Sequence, residues 1–235
     1  MDGGTFLITG ASRGIGAATA RLAAGAGHRV ALLARDAAGL HRLAEEIAAP
    51  DRVLAVPCDA ADWDSVREAV GLVVRTWGRL DVAFANAGVS VDTSFLGTRG
   101  APPPEWREMV LTNVYGPAIA ARAALPELVR SRGHFVISGS AAGRGVRPGN
   151  LYAATKWAVT GLAQSIRAEC VGTGVRVSLV LPGLVDTGGI PADRAGDPKL
   201  DPADVARAVL YAVGQPPAVD VNEILIRPVG QAPQL

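Results

Sequence analysis

The sequence predicts an α/β fold, a parallel β-sheet covered by helices on both faces. Three observations carry this. Short apolar runs alternate with longer amphipathic ones along the whole chain. The apolar runs are continuous rather than alternating, as strands buried on both faces require. A glycine-rich turn, "TGASRGIG" over 9–16, joins the first apolar run to the first amphipathic one. Regular strand–helix alternation builds a doubly wound sheet through right-handed crossovers.

The predicted strands are "TFLIT" at 5–9, "RVALLA" at 29–34, "RVLAV" at 52–56, "LDVAFA" at 80–85, "HFVIS" at 134–138, "VRVSLVL" at 175–181 and "NEILI" at 222–226. Helical spacing of apolar positions marks 14–26, 36–48, 62–77, 104–131, 150–171 and 202–213. Pro117 and Pro126 predict a kink or break in the fourth of these. Asp201 is an N-cap candidate, with Pro202 in the first turn. The stretch 186–203, rich in Gly, Pro and Asp, reads as a short lid at the carboxyl end of a strand, where open α/β sheets bind ligands. One domain over 1–235 accounts for all of it.

Composition narrows the function classes. The 235 residues are 49% hydrophobic and 19% charged, which fits a globular protein with a sizeable core. Net charge is +1, so no overall field favours nucleic acid or an anionic membrane. Cys58 and Cys170 lie far apart and in no metal-ligand spacing, so neither a disulfide framework nor a metal site is expected. The N-terminus lacks the basic region and long apolar run of a signal peptide, and no window of about 18 apolar residues exists. The expected compartment is the cytoplasm.

The glycine turn is built for phosphate. Gly10 permits the tight turn, Gly14 lets backbone approach a pyrophosphate, and Gly16 lets the helix pack on the sheet. The helix N-terminus then presents free N–H groups to an anion. A second local pattern is "YAATK", with Tyr152 and Lys156 at i and i+4 on one helical face. A free phenol has a pKa of about 10, and a nearby ammonium favours the phenolate, so the pair reads as a tuned general acid/base. Lys156 is one of only two lysines among 23 cationic residues.

These motifs, with "CDAAD" at 58–62, "NAG" at 86–88, "SGSAAG" at 138–143 and "PGLVDT" at 182–187, follow one another in an order that resembles the short-chain dehydrogenase/reductase family, in its compact single-domain branch. The resemblance covers nearly the whole chain. It implies a Rossmann-type sheet of seven parallel strands in the order 3-2-1-4-5-6-7. It implies hydride transfer between a nicotinamide cofactor and a carbonyl or alcohol carbon, with Tyr152 as general acid/base, Lys156 tuning it and holding the nicotinamide ribose, and Ser140 orienting the substrate oxygen. Ser138 competes for Ser140's role, and Gly143 favours Ser140. Asn113 is implied to hold a kinked helix and a water linking Lys156 to solvent. Implied cofactor contacts are Gly10, Ser12, Arg13, Gly14, Ile15 and Gly16 in the turn, Asp59 and Ala60 beside the adenine, and Asn86, Ala87 and Gly88 at the fourth strand. Tyr152, Lys156, Pro182, Gly183, Val185 and Thr187 complete the set. Members are usually dimers or tetramers, so a homodimer or homotetramer is expected.

The end of the second strand selects the cofactor. A free ribose 2′-hydroxyl wants a carboxylate there, whereas a 2′-phosphate wants a guanidinium. Ala34 stands where NAD-preferring relatives carry the acid. Arg35 and Arg13 match the basic residues of NADP-preferring relatives, and Asp36 suits the next helix start. The cofactor expected is NADP(H). The partner expected is a small carbonyl or alcohol substrate, with Ser90, Arg144, Arg147, Asn150, Trp157 and Leu184 as candidate lining. Two other readings stand beside this one: a catalytically silent NADP(H)-binding regulatory protein on the same fold, and a different enzyme of the fold such as a methyltransferase.

Overall fold

In the computed structural model, which describes residues 3–97, 99–188, 194 and 196–231, the apolar runs become seven strands. They are β1 (Thr5–Thr9), β2 (Arg29–Ala34), β3 (Val53–Pro57), β4 (Val82–Ala85), β5 (His134–Ser138), β6 (Arg176–Pro182) and β7 (Glu223–Ile226). All pair in parallel, in the order β3-β2-β1-β4-β5-β6-β7. This is the doubly wound order expected.

The helices are α1 (Gly14–Gly25), α2 (Ala37–Ile47), α3 (Trp63–Trp77), α4 (Pro103–Val110), α5 (Gly116–Ser131), α6 (Leu151–Glu169) and α7 (Pro202–Val213). Alternate residues of each strand point to opposite faces, so one sheet feeds two cores. Phe6, Ile8, Val30, Leu32, Val82 and Phe84 meet α1, α2 and α7. Leu7, Ala31, Leu33, Ala83, Phe135 and Leu179 meet α3, α5 and α6.

Side chains start several helices. Asp36 accepts from Gly39 N (2.9 Å), Asp62 from Ser65 N (2.7 Å) and Asn150 from Ala153 N (2.8 Å). Asp201 and Asp204 form a reciprocal capping box on α7. Asp36 is thus a helix-start residue, as expected.

The predicted helix over 104–131 is three pieces. Between α4 and α5 lies one π-helical turn, Leu111–Tyr115, and Pro117 follows it in the first turn of α5. Pro117 has no N–H, so the i→i−4 bond to the Asn113 carbonyl cannot form. The chain widens instead, and Gly116 N bonds Leu111 O. Pro126 lies inside α5 without ending it.

Candidate active site

The site gathers where the strands end. After β5 the chain makes a short 3₁₀ turn, Ala141–Arg144, capped by Ser140, whose Oγ accepts from Ala142 N at 3.1 Å. A side chain at Gly143 would place Cβ 2.7 Å from the Lys156 carbonyl oxygen, so glycine alone lets this turn lie against α6. That contact sets the Ser140 hydroxyl beside the Tyr152 phenol, where it favours the phenolate. Ser138 contributes its backbone carbonyl, which accepts from Lys156 Nζ at 2.9 Å. The two serines are thereby separated: only Ser140 presents its hydroxyl to Tyr152.

Lys156 is 4% exposed, and its Nζ lies 5.7 Å from the centre of the Tyr152 ring. Burial pushes the Lys156 ammonium down to about 8. Burial also raises the Tyr152 phenol, and the neighbouring Ser140 hydroxyl offsets only part of the rise. The expected lowering of the phenol by Lys156 is therefore not found here. The ammonium is spent on the Ser138 carbonyl, and desolvation of the phenolate outweighs what remains.

Asn113 lies in the π turn and is 1% exposed. Its Oδ1 accepts from Val89 N (2.9 Å), and its Nδ2 donates to Val89 O (2.9 Å) and Thr155 Oγ1 (3.1 Å). It ties the loop that continues from "NAG" to α6, one residue before Lys156. Gly88 faces the same point: a Cβ there would sit 3.4 Å from Asn113 Oδ1 and 3.7 Å from Lys156 Nζ.

The turn after β1 follows the glycine logic. Gly10 and Gly14 hold φ of +66° and +56°. A Cβ on Gly16 would fall 2.3 Å from the Gly10 carbonyl oxygen. Asn86 Nδ2 donates to Thr9 O (3.0 Å) and Gly10 O (3.3 Å), while Asn86 N and Ala87 N donate to Thr9 Oγ1, both at 3.0 Å. Helices α2, α3, α6 and α7 carry side-chain caps, but α1 begins after an extended Arg13 with none. Its first N–H groups, at Gly14 and Ile15, are left for another acceptor. Ser12 packs toward Gly39 of α2.

The remaining expected residues ring this turn. Asp59 caps its own turn at Ala61 N (2.9 Å), and the Ala60 carbonyl lies against Gly116. Beyond Pro182, Gly183 N donates to Ile226 O (2.7 Å) and Leu184 N to Gln231 Oε1 (3.0 Å). Val185 pairs with Leu200. Thr187 packs on Gly14, where an added Cβ would stand 3.0 Å from its Cγ2. A cleft of about 380 Å³ runs along Gly14, Ala18, Thr187 and Pro202. Residues 189–193 and 195 of the expected lid lie outside the described residues.

Several candidates hold other posts. Asn150 is the α6 cap, and Trp157 donates its indole N–H to Gly145 O (3.1 Å). Arg144 pairs with Glu223 on β7. Ser90 is exposed and Leu184 half-buried. Arg147 is half-buried, and burial and then the charge of Arg194 push its guanidinium down. Arg13 is exposed, and Arg35 bonds Glu108 Oε1 on α4 at 2.7 Å. Glu108, Gln231 and Thr93, which donates to the Gly149 carbonyl ahead of α6, have no sequence signal. Each pairs with a residue more than forty positions away.

A doubly wound sheet with a phosphate-type turn and a Ser–Tyr–Lys cluster at its carboxyl edge defines a dinucleotide-dependent class of protein. The short chain dehydrogenase family model matches residues 4–196, and the chain belongs to that family of oxidoreductases. An uncharacterised oxidoreductase of Staphylococcus aureus (strain N315) is 38% identical over 226 residues, 95% of this chain and 96% of that protein. An alcohol dehydrogenase from the archaeon Thermococcus sibiricus, solved with 5-hydroxy-NADP, matches with a TM-score of 0.88 at 31% identity, covering 100% of both chains. A metagenomic short-chain oxidoreductase in complex with NADP gives 0.83 at 33% identity, over 98% of this chain and 99% of that one. A 3-ketoacyl-(acyl-carrier-protein) reductase from Brucella melitensis, complexed with NADH, gives 0.86 at 27%, over 96% and 97%. Among the described residues, no helix is long and apolar enough to cross a membrane.

Proposed function

We propose that the chain is an NADP(H)-dependent carbonyl reductase or alcohol dehydrogenase with Tyr152 as general acid/base. The observation that carries this reading is the placing of buried Lys156 behind the Tyr152 ring, its Nζ 5.7 Å from the ring centre, with the Ser140 hydroxyl beside the phenol. The residues present fit a dinucleotide: the uncapped start of α1 offers N–H donors to a pyrophosphate, and Gly14 leaves the approach open. Arg35, Arg13, Asp59 and Ala60 would hold the adenosine end. Asn86 to Gly88, Lys156, and the backbone from Pro182 to Val185 with Thr187 would hold the nicotinamide end. The dinucleotide, when bound, supplies or takes the hydride.

The protein's own work is proton transfer and positioning. Burial keeps Tyr152 O–H protonated at neutral pH, so in reduction the phenol hands its proton to the substrate oxygen. Ser140 O–H donates to the same oxygen and stabilises the charge growing on it. In oxidation the phenol oxygen receives that proton. Lys156, anchored on Ser138, keeps a positive charge behind the phenolate that forms. Asn113 holds the loop after β4 in register with α6, which carries Tyr152 and Lys156. Half-buried Arg147, with no carboxylate partner among the described residues, supports including keto acids among the substrates tried. Exposed Tyr115 in the π turn, Val129 on α5 and Trp157 on α6 support assembly into a homodimer or homotetramer.

The test is NADPH oxidation over a panel of ketones, aldehydes and keto acids. Tyr152→Phe is expected to lose at least about a hundredfold in kcat while still binding the cofactor. Unaltered turnover in that variant would remove Tyr152 as the acid/base, and a wild type that binds NADPH yet turns over no member of the panel would revive the silent-binder reading. Arg35→Ala is expected to lower the NADPH/NADH ratio of kcat/KM by about tenfold. A variant that keeps the preference sinks the role of Arg35.

A further inference from the structure

Arg35 is not free to meet a phosphate. Its Nη1 lies 2.7 Å from Glu108 Oε1, and both side chains keep more than half of their surface in water, at 58% and 53%. The bond joins the end of β2 to the last turn of α4, across 73 residues. Arg35 is the one hydrogen-bond partner of the Glu108 side chain among the described residues. Asp59 adds a second negative charge near the guanidinium. The end of β2 therefore carries one cation flanked by two carboxylates, and Arg13 on the glycine turn is exposed.

We propose that Glu108 is a specificity-determining residue that restrains NADP(H) binding. This rests on the reading above, that Arg35 receives the 2′-phosphate. Glu108 occupies the guanidinium in the free chain, so a 2′-phosphate must displace it and then lie beside a carboxylate. A dinucleotide with a plain 2′-hydroxyl needs no such displacement and brings no extra charge. An exposed ion pair is weak enough for a dianion to break, which makes the restraint a tuning device rather than a block. The pair is placed to narrow the gap between the two cofactors, and no other described residue bonds the Arg35 side chain.

Dissociation constants for NADPH, NADH and 2′,5′-ADP are measured by protein fluorescence at fixed low ionic strength. The proteins are the wild type, Glu108→Gln, Arg35→Ala and the double variant. Glu108→Gln keeps helix propensity and shape on an exposed face. It is expected to tighten NADPH and 2′,5′-ADP by about fivefold, with NADH changed by less than about twofold. In the Arg35→Ala background the same change is expected to give less than about twofold on NADPH, because no guanidinium is left to release. Unchanged or weakened NADPH binding in Glu108→Gln, with Arg35→Ala still weakening it, overturns the role of Glu108 alone. Unchanged NADPH binding in Arg35→Ala overturns the reading of Arg35 beneath it.

Discussion

Lys156 carries a cost that its place in the site imposes. Its ammonium is buried and bonds one described acceptor, the Ser138 carbonyl. The folded pKa of about 8 lies below the unfolded value near 10.4, so the unfolded chain binds more protons between those limits. Stability from this group is thus present at high pH, falls as pH drops from about 10.4 to 8, and is fully lost at pH 7. The loss is on the order of 3 kcal/mol. Lys156→Met removes the charge and keeps the length. It is expected to raise stability at pH 7 by on the order of 2 kcal/mol, after loss of the Ser138 bond, and to abolish turnover. Urea unfolding at pH 7 and at pH 10 checks this, since the gain should shrink at the higher pH. A variant less stable than the wild type at pH 7 would mean that the buried ammonium supports the fold. Tyr152 differs: it is neutral at pH 7 in both states, so its raised pKa bears on its readiness as an acid and not on stability there.

The π turn shows how an element can serve one carbonyl. Pro117 withholds the N–H that a regular helix would give to Asn113, and the widened turn sets where Asn113 bonds Val89 and Thr155. Pro117→Ala restores the donor and lets an α-helix run through. Stability is expected to hold or rise, while kcat falls by about tenfold or more as Asn113 shifts its register. Steady-state kinetics beside thermal melting separates the two, and full activity with raised stability would show that the π turn is incidental. Sequence pattern made the strands legible because burial on both faces writes unbroken apolar runs; Arg29–Ala34 is marked to the residue. Thr5–Thr9 and His134–Ser138 are too, while the ends of β3, β4, β6 and β7 shift by a residue or two, as with Val82–Ala85 inside the predicted 80–85. The prolines signalled a break in 104–131, but a π turn has no local periodicity of its own. At the site, Tyr152 and Lys156 were legible because they lie one helical turn apart. Glu108 and Gln231 were not, because their partners lie 73 and 47 positions away and only tertiary folding joins them.

Across the whole molecule the two ends of the sheet do different work. The carboxyl ends of the strands carry the glycine turn, Asn86, Ser140 and the start of α6. The opposite ends bury polar groups that hold the layers together. His134 opens β5 fully buried, with Nε2 2.7 Å from Ser178 Oγ and Nδ1 lacking a hydrogen-bond partner among the described residues. Beside it Arg176 opens β6 and donates to Val213 O and Gln215 O at the end of α7, each at 3.0 Å. Burial, and then the charge of Arg176, push the His134 imidazole from 6.5 down to about 3. The unfolded chain takes up a proton near pH 6.5 that the folded chain refuses until about pH 3. Stability from neutral His134 is therefore complete above pH 6.5 and is lost as pH falls through that window, by about 1.4 kcal/mol per pH unit for one proton. Arg176 keeps its charge throughout the window, so the imidazole gains no relief by moving. Carboxylates add their own acid dependence, but they do so equally in a His134→Gln variant. Urea unfolding between pH 6 and 4.5 should then give a wild-type slope steeper than the variant's by about one proton. Equal slopes would mean that the imidazole accepts a proton inside the fold, and that the basal end of the sheet opens to water well before the molecule unfolds.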